Sequence, residues 1–498
     1  MQTAILVCLA ALFCGGVYYA AFVDRRPAGP VAAGPAEGDK PAGRPSPAPD
    51  AKPQRPPGSA GAKSADGSSD ARKTDAAKDP SGKPPPQPDS PQPETDAKTV
   101  AAKDGPPEVL GLYSQRTAPR REEWIAGLGG TPESEKMVAA GLDWLARHQA
   151  ADGHWGPDCL GPGPGSQCNK DHPCSAPGGR YEAALTGLAV LAFQAGGHYD
   201  FNEHQYSDRV ARALACLVDQ QGFNGELVGS LNNASEGPDL SKARFDHCYM
   251  YEHGIATFAL AEACAVAKAS GHAPKAKVLE AAAKAVRFIE SQQHSDGGWR
   301  YTPQLAAPSD TSVSGWSMLA LKTAREAELS IDEATIPHLV EFFDRELEPL
   351  TGRTHYTESS FNTDALTGVG MLVDEFVLLK TDTRRIQLAA PYLAELAEGR
   401  WGPHKDAASD YYLWYNCTLA MFQAGGEPWQ RWNAVVRDHL VSLQEGGDGC
   451  QRGSWPPNDR WGPTGGRIYS TALAILTLEV YYRFAKERLI GEKPGKSD

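Results

Sequence analysis

The sequence has a deficit of positive charge and few patterns typical of β-strands. Lysine and arginine number 49 against 62 aspartates and glutamates, so the 498-residue chain carries a net charge of -13. Nucleic-acid binding needs a basic surface that neutralises phosphates, and we therefore expect no nucleic-acid partner. Apolar and polar residues scarcely alternate with a period of two, and this favours an all-α protein.

Large apolar residues are almost absent from residues 24–107, where proline, alanine, glycine, lysine, aspartate and serine dominate. Such a segment cannot bury enough surface to offset the entropy of ordering, so it predicts a disordered linker. Residues 1–23, by contrast, contain an apolar run long enough to span a bilayer as a helix. We predict a membrane anchor there, with an uncleaved signal as the alternative. The folded domain is expected over 108–490, followed by a tail at 491–498.

Two features bear on the side of the membrane that the domain occupies. Arg25 and Arg26 follow the apolar run, and the positive-inside rule would place them in the cytoplasm. The chain also has ten cysteines, and Cys159, Cys168 and Cys174 lie in one Gly/Pro-rich segment. This usage fits an oxidising compartment, so we expect the domain on the extracytoplasmic side. In that segment we expect disulfide bonds rather than a metal site.

A sequence motif recurs along the domain. Gln149, Asp152, Gly153 and Trp155 have the spacing Gln-x-x-Asp-Gly-x-Trp, and the same spacing returns at 293–299. A stretched third copy has Gln444, Asp448, Gly449 and Trp455, and eroded copies follow at 219–225 and near Trp401. Asp-Gly is typical of a left-handed turn after a helix, glutamine can satisfy freed backbone groups, and tryptophan can cover the turn. The motif therefore predicts a structural repeat.

Between these motifs, two kinds of helix are expected to alternate. Amphipathic segments such as 207–221 predict outer helices, whereas segments apolar on all faces, such as 249–263, predict inner helices. Six of each would close into a double ring, an (α/α)6 toroid. The inner helices begin with polar or aromatic residues, which we expect to line one mouth of a central cavity. The predicted cavity residues are Tyr181, Tyr249, Trp316, Asp364, Asp410, Tyr411 and Tyr469.

On these repeats the chain resembles the superfamily of terpenoid cyclases and protein prenyltransferase β-subunits over roughly residues 130 to 485. The resemblance implies an α/α toroid and an isoprenoid-like or other elongated apolar ligand. Prenyltransferases of this kind hold zinc through Asp-x-Cys-Tyr and a histidine on the last inner helix. Asp246 and Cys248 match the first element, but Ser470 stands where the histidine would be. A hydroxyl is a poor zinc ligand, so the implied zinc site lacks its third ligand.

The same stretch has a second interpretation without metal. Asp246 would cap a helix, Cys248 would be a small buried side chain, and His253 would line the cavity. A metal-free catalytic use of Asp246 and His253 is a further alternative.

The cyclase branch of the superfamily uses Asp-x-Asp-Asp-Thr to protonate its substrate. Here Asp310 and Thr311 match the end of that motif, and Ser309 occupies the position of the protonating acid. A serine cannot supply that proton, so ordinary squalene cyclisation is not expected. Asp310 remains a candidate catalytic residue, with helix capping as the alternative.

The sequence therefore predicts a membrane-tethered toroid that binds, and in one interpretation transforms, an elongated apolar ligand. A non-catalytic scaffold is one alternative. A glycan-active ring is another, since glycoside hydrolysis needs paired carboxylates. Its candidate carboxylates are Glu182, Glu252, Glu358, Asp364 and Asp410.

Overall fold

The computed structural model describes most of the predicted domain. The described residues are 113–117, 121–161, 168, 174, 181–228, 248–303, 308–357, 360–361, 363–405 and 407–484. The predicted anchor, linker and tail lie outside them, as do Asp246 and Glu358. Within the described residues, no helix is both long enough and apolar enough to cross a membrane.

These residues form an all-α structure, with isolated β-bridges only at Trp299–Asp310 and Leu347–Thr354 in the described part. A short first helix, α1, spans Arg121–Leu128, and α14 spans Val480–Arg483 at the end. The six outer helices of the described chain are α2 (Pro132–Arg147), α4 (Ser207–Asp219), α6 (Ala276–Ser291), α8 (Thr335–Arg345), α10 (Arg384–Trp401) and α12 (Gly426–Leu443). The six inner helices are α3 (Glu182–Ala195), α5 (Tyr249–Ala269), α7 (Thr311–Glu326), α9 (Asp364–Leu372), α11 (Tyr411–Ala424) and α13 (Gly462–Leu478).

The inner helices form a closed ring. Each contacts the next in chain order, and α13 contacts both α11 and α3, so the last inner helix closes onto the first. Their side chains are buried on nearly every face, whereas the outer helices bury a single stripe. The predicted all-α double ring is therefore confirmed for the described residues.

Local sequence sets where several helices begin. Asp310, Thr363, Thr383 and Asp410 each accept a backbone N–H bond through the side chain at the N-cap of α7, α9, α10 and α11. Helix α2 begins after Thr131, whose hydroxyl forms a reciprocal capping box with Ser134. Because these caps fix the first turn, the loops before the inner helices deliver their polar residues to one end of the ring.

At the repeat motifs, a glutamine joins the turn after one outer helix to the next outer helix. Gln149 Nε2 donates to the carbonyl of Gly153 (2.9 Å) in its own turn and to that of Arg209 (2.9 Å) in α4. Gln293 Nε2 does the same with Gly297 (2.8 Å) and with Thr335 (3.0 Å) in α8. The structural interpretation of the motif is thus supported by its contacts.

The last glutamine reaches back to the start of the ring. Gln444 Nε2 donates to Gly453 O (2.9 Å) and to Met137 O (2.7 Å) in α2, the first outer helix. The turn glycine of this copy is Gly453, with φ +92°, and not Gly449 as the sequence suggested. An insertion between the glutamine and the turn had hidden it. A Cβ on Gly453 would lie 2.4 Å from Ala140 O, so the turn packs directly on the α2 backbone.

The end of the ring at which the first inner helices terminate is closed by charged groups. Arg116 Nη1 lies 3.0 Å from Glu262 Oε1, and Arg483 Nη2 lies 3.3 Å from Glu262 Oε2, with all three side chains fully buried. Arg116 also donates through Nε and Nη2 to the carbonyl of Arg483. Since buried charges must be paired and hydrogen-bonded, this set fixes residues 113–117 and 480–484 across that end.

The glutamine contacts lead to a stability prediction. Replacing Gln293 with alanine leaves the carbonyls of Gly297 and Thr335 without this donor, and we expect a loss of about 1 to 3 kcal/mol in the free energy of unfolding. Urea denaturation measures it. The matched control is Gln292→Ala, because Gln292 Nε2 bonds only a neighbouring exposed Ser291 hydroxyl (3.1 Å). Equal losses in both variants would contradict the bridging role.

Candidate functional site

The mouth formed by the N-terminal ends of the inner helices contains a buried aspartate. Asp310 Oδ1 caps α7 by accepting from the backbone N–H groups of Ser312 (3.0 Å) and Val313 (2.9 Å). Its second oxygen, Oδ2, is buried without a hydrogen bond to any described residue. Burial raises the pKa of Asp310 to about 7, and the two backbone bonds and Arg300 oppose this only partly. A carboxyl in this state is a ready proton donor near neutral pH.

Aromatic side chains surround this carboxyl. Tyr251 from α5 hydrogen-bonds the hydroxyl of Ser312, and Ser312 also bonds Tyr412 of α11. Trp316, one turn further along α7, lies with its ring 6.4 Å from that of Tyr412 and stacks at 5.7 Å on Tyr415. We name Tyr251, Trp316, Tyr412 and Tyr415 the aromatic cluster. Tyr412 and Tyr415 come from α11, which is not a ring neighbour of α5 or α7, so these side chains meet across the ring.

A second group of acids lies on the α11 and α13 side of the mouth. Asp459 Oδ2 accepts from the N–H of Tyr411 (3.3 Å) and from the hydroxyl of Tyr469 (3.2 Å). Burial, followed by the charge of Asp410, raises the pKa of Asp459 to about 6. Burial likewise raises the pKa of Asp410, which Arg460 partly opposes from 4.0 Å. We name Asp410 and Asp459 the carboxylate pair.

Asp364, the other predicted cavity acid, is paired with two arginines. Its Oδ1 accepts from Arg353 Nη2 (3.0 Å) and from the hydroxyl of Tyr392 (2.6 Å), and its Oδ2 lies 3.0 Å from Arg400 Nη2. Two guanidinium groups hold this carboxylate in place. It is therefore better suited to fixing the start of α9 than to transferring a proton.

Of the predicted zinc half-site, only Cys248 lies within the described residues. Cys248 precedes α5, but among the described residues it belongs to no cluster of three or more histidine, cysteine or carboxylate side chains. Ser470, at the family's third-ligand position, donates to the carbonyl of Trp455 at 2.8 Å. Nothing described here completes a metal site at Cys248.

His253 is fully buried, and both of its ring nitrogens are engaged. Nδ1 accepts from the N–H of Leu227 (3.1 Å), and Nε2 lies 3.1 Å from the carbonyl of Ala285. Burial lowers the pKa of His253 to about 3, so it stays neutral. Its contacts connect α5 to the preceding loop and to α6, a structural arrangement that leaves neither nitrogen for substrate or metal.

The remaining predicted cavity residues lie apart from Asp310. Tyr249 is buried against Phe288, with ring centroids 6.3 Å apart. The hydroxyl of Tyr411 donates to the carbonyl of Pro456 (3.0 Å), and Tyr181 precedes α3 as its N-cap residue. Glu252, a candidate glycan-site acid, accepts from the N–H of Ala183 (3.2 Å) at the start of α3. These contacts are typical of helix capping and packing.

Ser309 is held by its own loop. Its hydroxyl donates to Asp296 Oδ1 (2.6 Å) and lies 3.2 Å from His294 Nδ1. Asp296 and His294 belong to the repeat motif, so Ser309 is part of the turn scaffold. Asp310, the next residue, is the one whose side chain lies beside the aromatic cluster.

The cysteine segment differs from its prediction. No disulfide joins any of the described cysteines, which include Cys159, Cys168 and Cys174. Cys168 and Cys174 instead lie beside His148 and Cys450, and the latter comes from the opposite end of the domain. The sequence analysis did not predict this cluster, because Cys450 is far from the other three residues along the chain.

No known protein family matches the chain, and no curated protein does. Similar solved structures include a GH76 α-mannanase from Bacteroides thetaiotaomicron (13% identity, TM-score 0.46, 72% of this chain and 98% of that one). An unsaturated glucuronyl hydrolase from Streptococcus agalactiae has 13% identity and a TM-score of 0.46 over 76% of this chain and 98% of its own.

A type II terpene cyclase from Scytonema, in complex with geranylgeranyl dihydroxybenzoate, has 13% identity and a TM-score of 0.43 over 70% of this chain and 97% of its own. Similarity at this level identifies no activity, because unrelated functions share such folds.

The raised pKa of Asp310 predicts a pH dependence of stability. The folded pKa lies near 7, above the ordinary 3.8, so the folded state holds this proton more tightly than the unfolded state. The resulting stabilisation is complete below pH 3.8 and is lost as the pH rises through about 7. The Asp310→Asn variant keeps a side-chain cap but has no group that titrates there. We therefore expect its stability not to fall as the pH rises through about 7. At pH 8 it should be more stable than the unaltered chain, by about 1.4 kcal/mol for each unit by which the folded pKa of Asp310 exceeds its ordinary value.

Urea denaturation between pH 4 and pH 8 makes the comparison, with exposed Asp208→Asn as the control. Parallel pH profiles for Asp310→Asn and the unaltered chain would show that Asp310 has an ordinary pKa.

Proposed function

We propose that this toroid binds an elongated apolar, isoprenoid-like ligand at the aromatic cluster and that Asp310 acts there as a general acid. The observation that carries the proposal is the Asp310 carboxyl, which is buried, has a pKa of about 7 and has one oxygen not hydrogen-bonded by described residues. A neutral carboxyl beside aromatic rings suits protonation of a carbon–carbon double bond, because the ring faces stabilise the cation that forms.

The proposal assigns the acid to a different position from the one that the cyclase resemblance implies. Ser309 holds the turn through Asp296, whereas the Asp310 carboxyl is close enough for its charge to raise the pKa values of Tyr251 and Tyr412. The finer assignment to the cyclase and prenyltransferase superfamily remains part of this proposal.

In the proposed reaction, Asp310 gives its proton to a terminal double bond of a polyene. The π electrons of the neighbouring double bonds then form carbon–carbon bonds, and loss of a proton from the last cation gives a cyclic isomer of unchanged mass. In this proposal the stacked pair of Trp316 and Tyr415 stabilises the developing positive charge through its π electrons.

The activity test incubates the purified chain with squalene or geranylgeraniol in detergent and measures isomers of unchanged mass by gas chromatography and mass spectrometry. We expect Asp310→Asn to lower the rate at least ~100-fold, the contribution typical of a general acid. Since Asp310 must be protonated, the rate should fall as the pH rises through about 7.

Ser309→Ala is the matched control and should keep most of the activity. Loss of activity in Ser309→Ala with full activity in Asp310→Asn would contradict the general-acid role of Asp310. Binding of the polyene without turnover would favour the non-catalytic scaffold, and absence of binding would refute the proposal.

The carboxylate pair favours a second candidate, glycan hydrolysis. Asp410 and Asp459 have raised pKa values and share the start of α11, and Trp461 beside them is 41% exposed, available to stack on a sugar ring. Release of new reducing ends from soluble polysaccharides, abolished in Asp459→Asn and retained in Asp310→Asn, would support this function over the first.

The membrane tether also remains a proposal, supported by the apolar run in residues 1–23. The extracytoplasmic side, which was expected from the cysteine usage, is part of the same proposal. Retention of the full chain in the membrane pellet after alkaline extraction would support the tether, and protease digestion of intact cells would decide the side.

A further inference from the structure

Four buried side chains outside the mouth bring their ligand atoms together. The histidine nitrogen and the three sulfur atoms of the group all lie within 4.8 Å of one another. His148 Nε2 is 3.1 Å from Cys450 Sγ and 3.5 Å from Cys174 Sγ. We name His148, Cys168, Cys174 and Cys450 the Cys3His cluster. All four side chains are buried.

The imidazole of the cluster is oriented by its surroundings. His148 Nδ1 lies 2.7 Å from the carbonyl of Trp144, so Nδ1 carries the proton and Nε2 turns its lone pair toward the sulfur atoms. The His148 ring also stacks on the Trp144 ring at 4.3 Å. Trp144 Nε1 donates to the carbonyl of Cys450 at 3.0 Å and thereby fixes the backbone of a second member. The bond from His148 Nδ1 to the Trp144 carbonyl is the kind that a metal-ligating histidine makes with the ring nitrogen that does not bind the metal.

The composition of the cluster favours one metal. Three thiolates and one imidazole are a tetrahedral ligand set for zinc, and four protein ligands leave no open position for a substrate. A disulfide within the cluster would use two sulfur atoms and leave the third beside the histidine. Because all four groups converge, a shared ion accounts for the whole arrangement, whereas a disulfide accounts for half of it.

The cluster lies where the ring closes. His148 directly follows α2, the first outer helix, and Cys450 lies in the loop between α12 and α13, so 302 residues separate them along the chain. The same two segments are joined by Arg147 Nη2, which donates to the carbonyl of Arg452 at 2.8 Å. A metal at this position would cross-link the first repeat to the last.

We propose that the Cys3His cluster binds one structural zinc ion, which fastens the last repeat of the toroid to the first. The site is separate from the aromatic cluster and from Cys248, so it is independent of the proposed function. Its role is to hold the closed ring, because the bond links segments that local interactions cannot bring together.

The test measures metal content by elemental mass spectrometry on the full chain, purified with a thiol reductant and without chelators. We expect about one zinc per chain, with loss to near zero in Cys450→Ser and in Cys174→Ser. Two matched controls should keep the zinc: Cys216→Ser, on α4, and Cys248→Ser, at the prenyltransferase-like half-site. Cobalt substitution of the unaltered chain should give the thiolate charge-transfer and tetrahedral ligand-field bands, a readout that does not depend on a variant folding.

Three results would overturn the proposal. One is a chain without zinc whose cysteines all titrate as thiols and whose cobalt form lacks these bands. Another is a disulfide between cluster cysteines, detected as a mass deficit in the protein isolated without reductant and with its thiols alkylated. The third is zinc lost in Cys248→Ser and retained in Cys450→Ser, which would place the metal at the half-site.

Discussion

The ring depends on one repeated hydrogen-bonding contact, the glutamine amide that bonds both its own turn and the next outer helix. Gln149 and Gln293 make this contact within the chain order, and Gln444 makes it back to Met137 in the first outer helix. The amide donates to the turn glycine that follows one outer helix and to a backbone carbonyl of the next outer helix. The contact therefore ties that turn to the next helix, and its last occurrence joins the end of the array of repeats to its beginning.

Closure has opposite consequences at the two ends of the ring. At one end Glu262 pairs through both of its carboxylate oxygens with two buried arginines, Arg116 and Arg483. At the other end the helix N-termini present Asp310, a carboxyl that is capped through only one oxygen and desolvated by aromatic rings. This difference in pairing is the reason that the proposed chemistry is assigned to the second end.

The helices, their alternation and the repeat could be predicted from the sequence, because each follows from local periodicity and turn chemistry. Asp310 was predicted as a candidate acid or, alternatively, as a helix cap; the structure shows the cap through Oδ1 and a second oxygen, Oδ2, buried without a hydrogen bond to described residues. Tyr251 and Asp459 were missed, since ordinary residues near helix starts form a site only when distant segments meet. The stretched repeat hid Gly453 for a related reason, because an insertion moved the turn away from its expected spacing.

By itself, the sequence determined an all-α ring of repeated helix pairs, since hydrophobic periodicity and Asp-Gly turns act over a few residues. Tertiary structure alone decided which polar groups meet. It gave His253 two backbone partners, placed Ser309 in a turn, and brought Cys450 to His148 across 302 residues. Desolvation and long-range proximity set the pKa of a carboxyl and the membership of a ligand cluster, and neither quantity is encoded in local sequence.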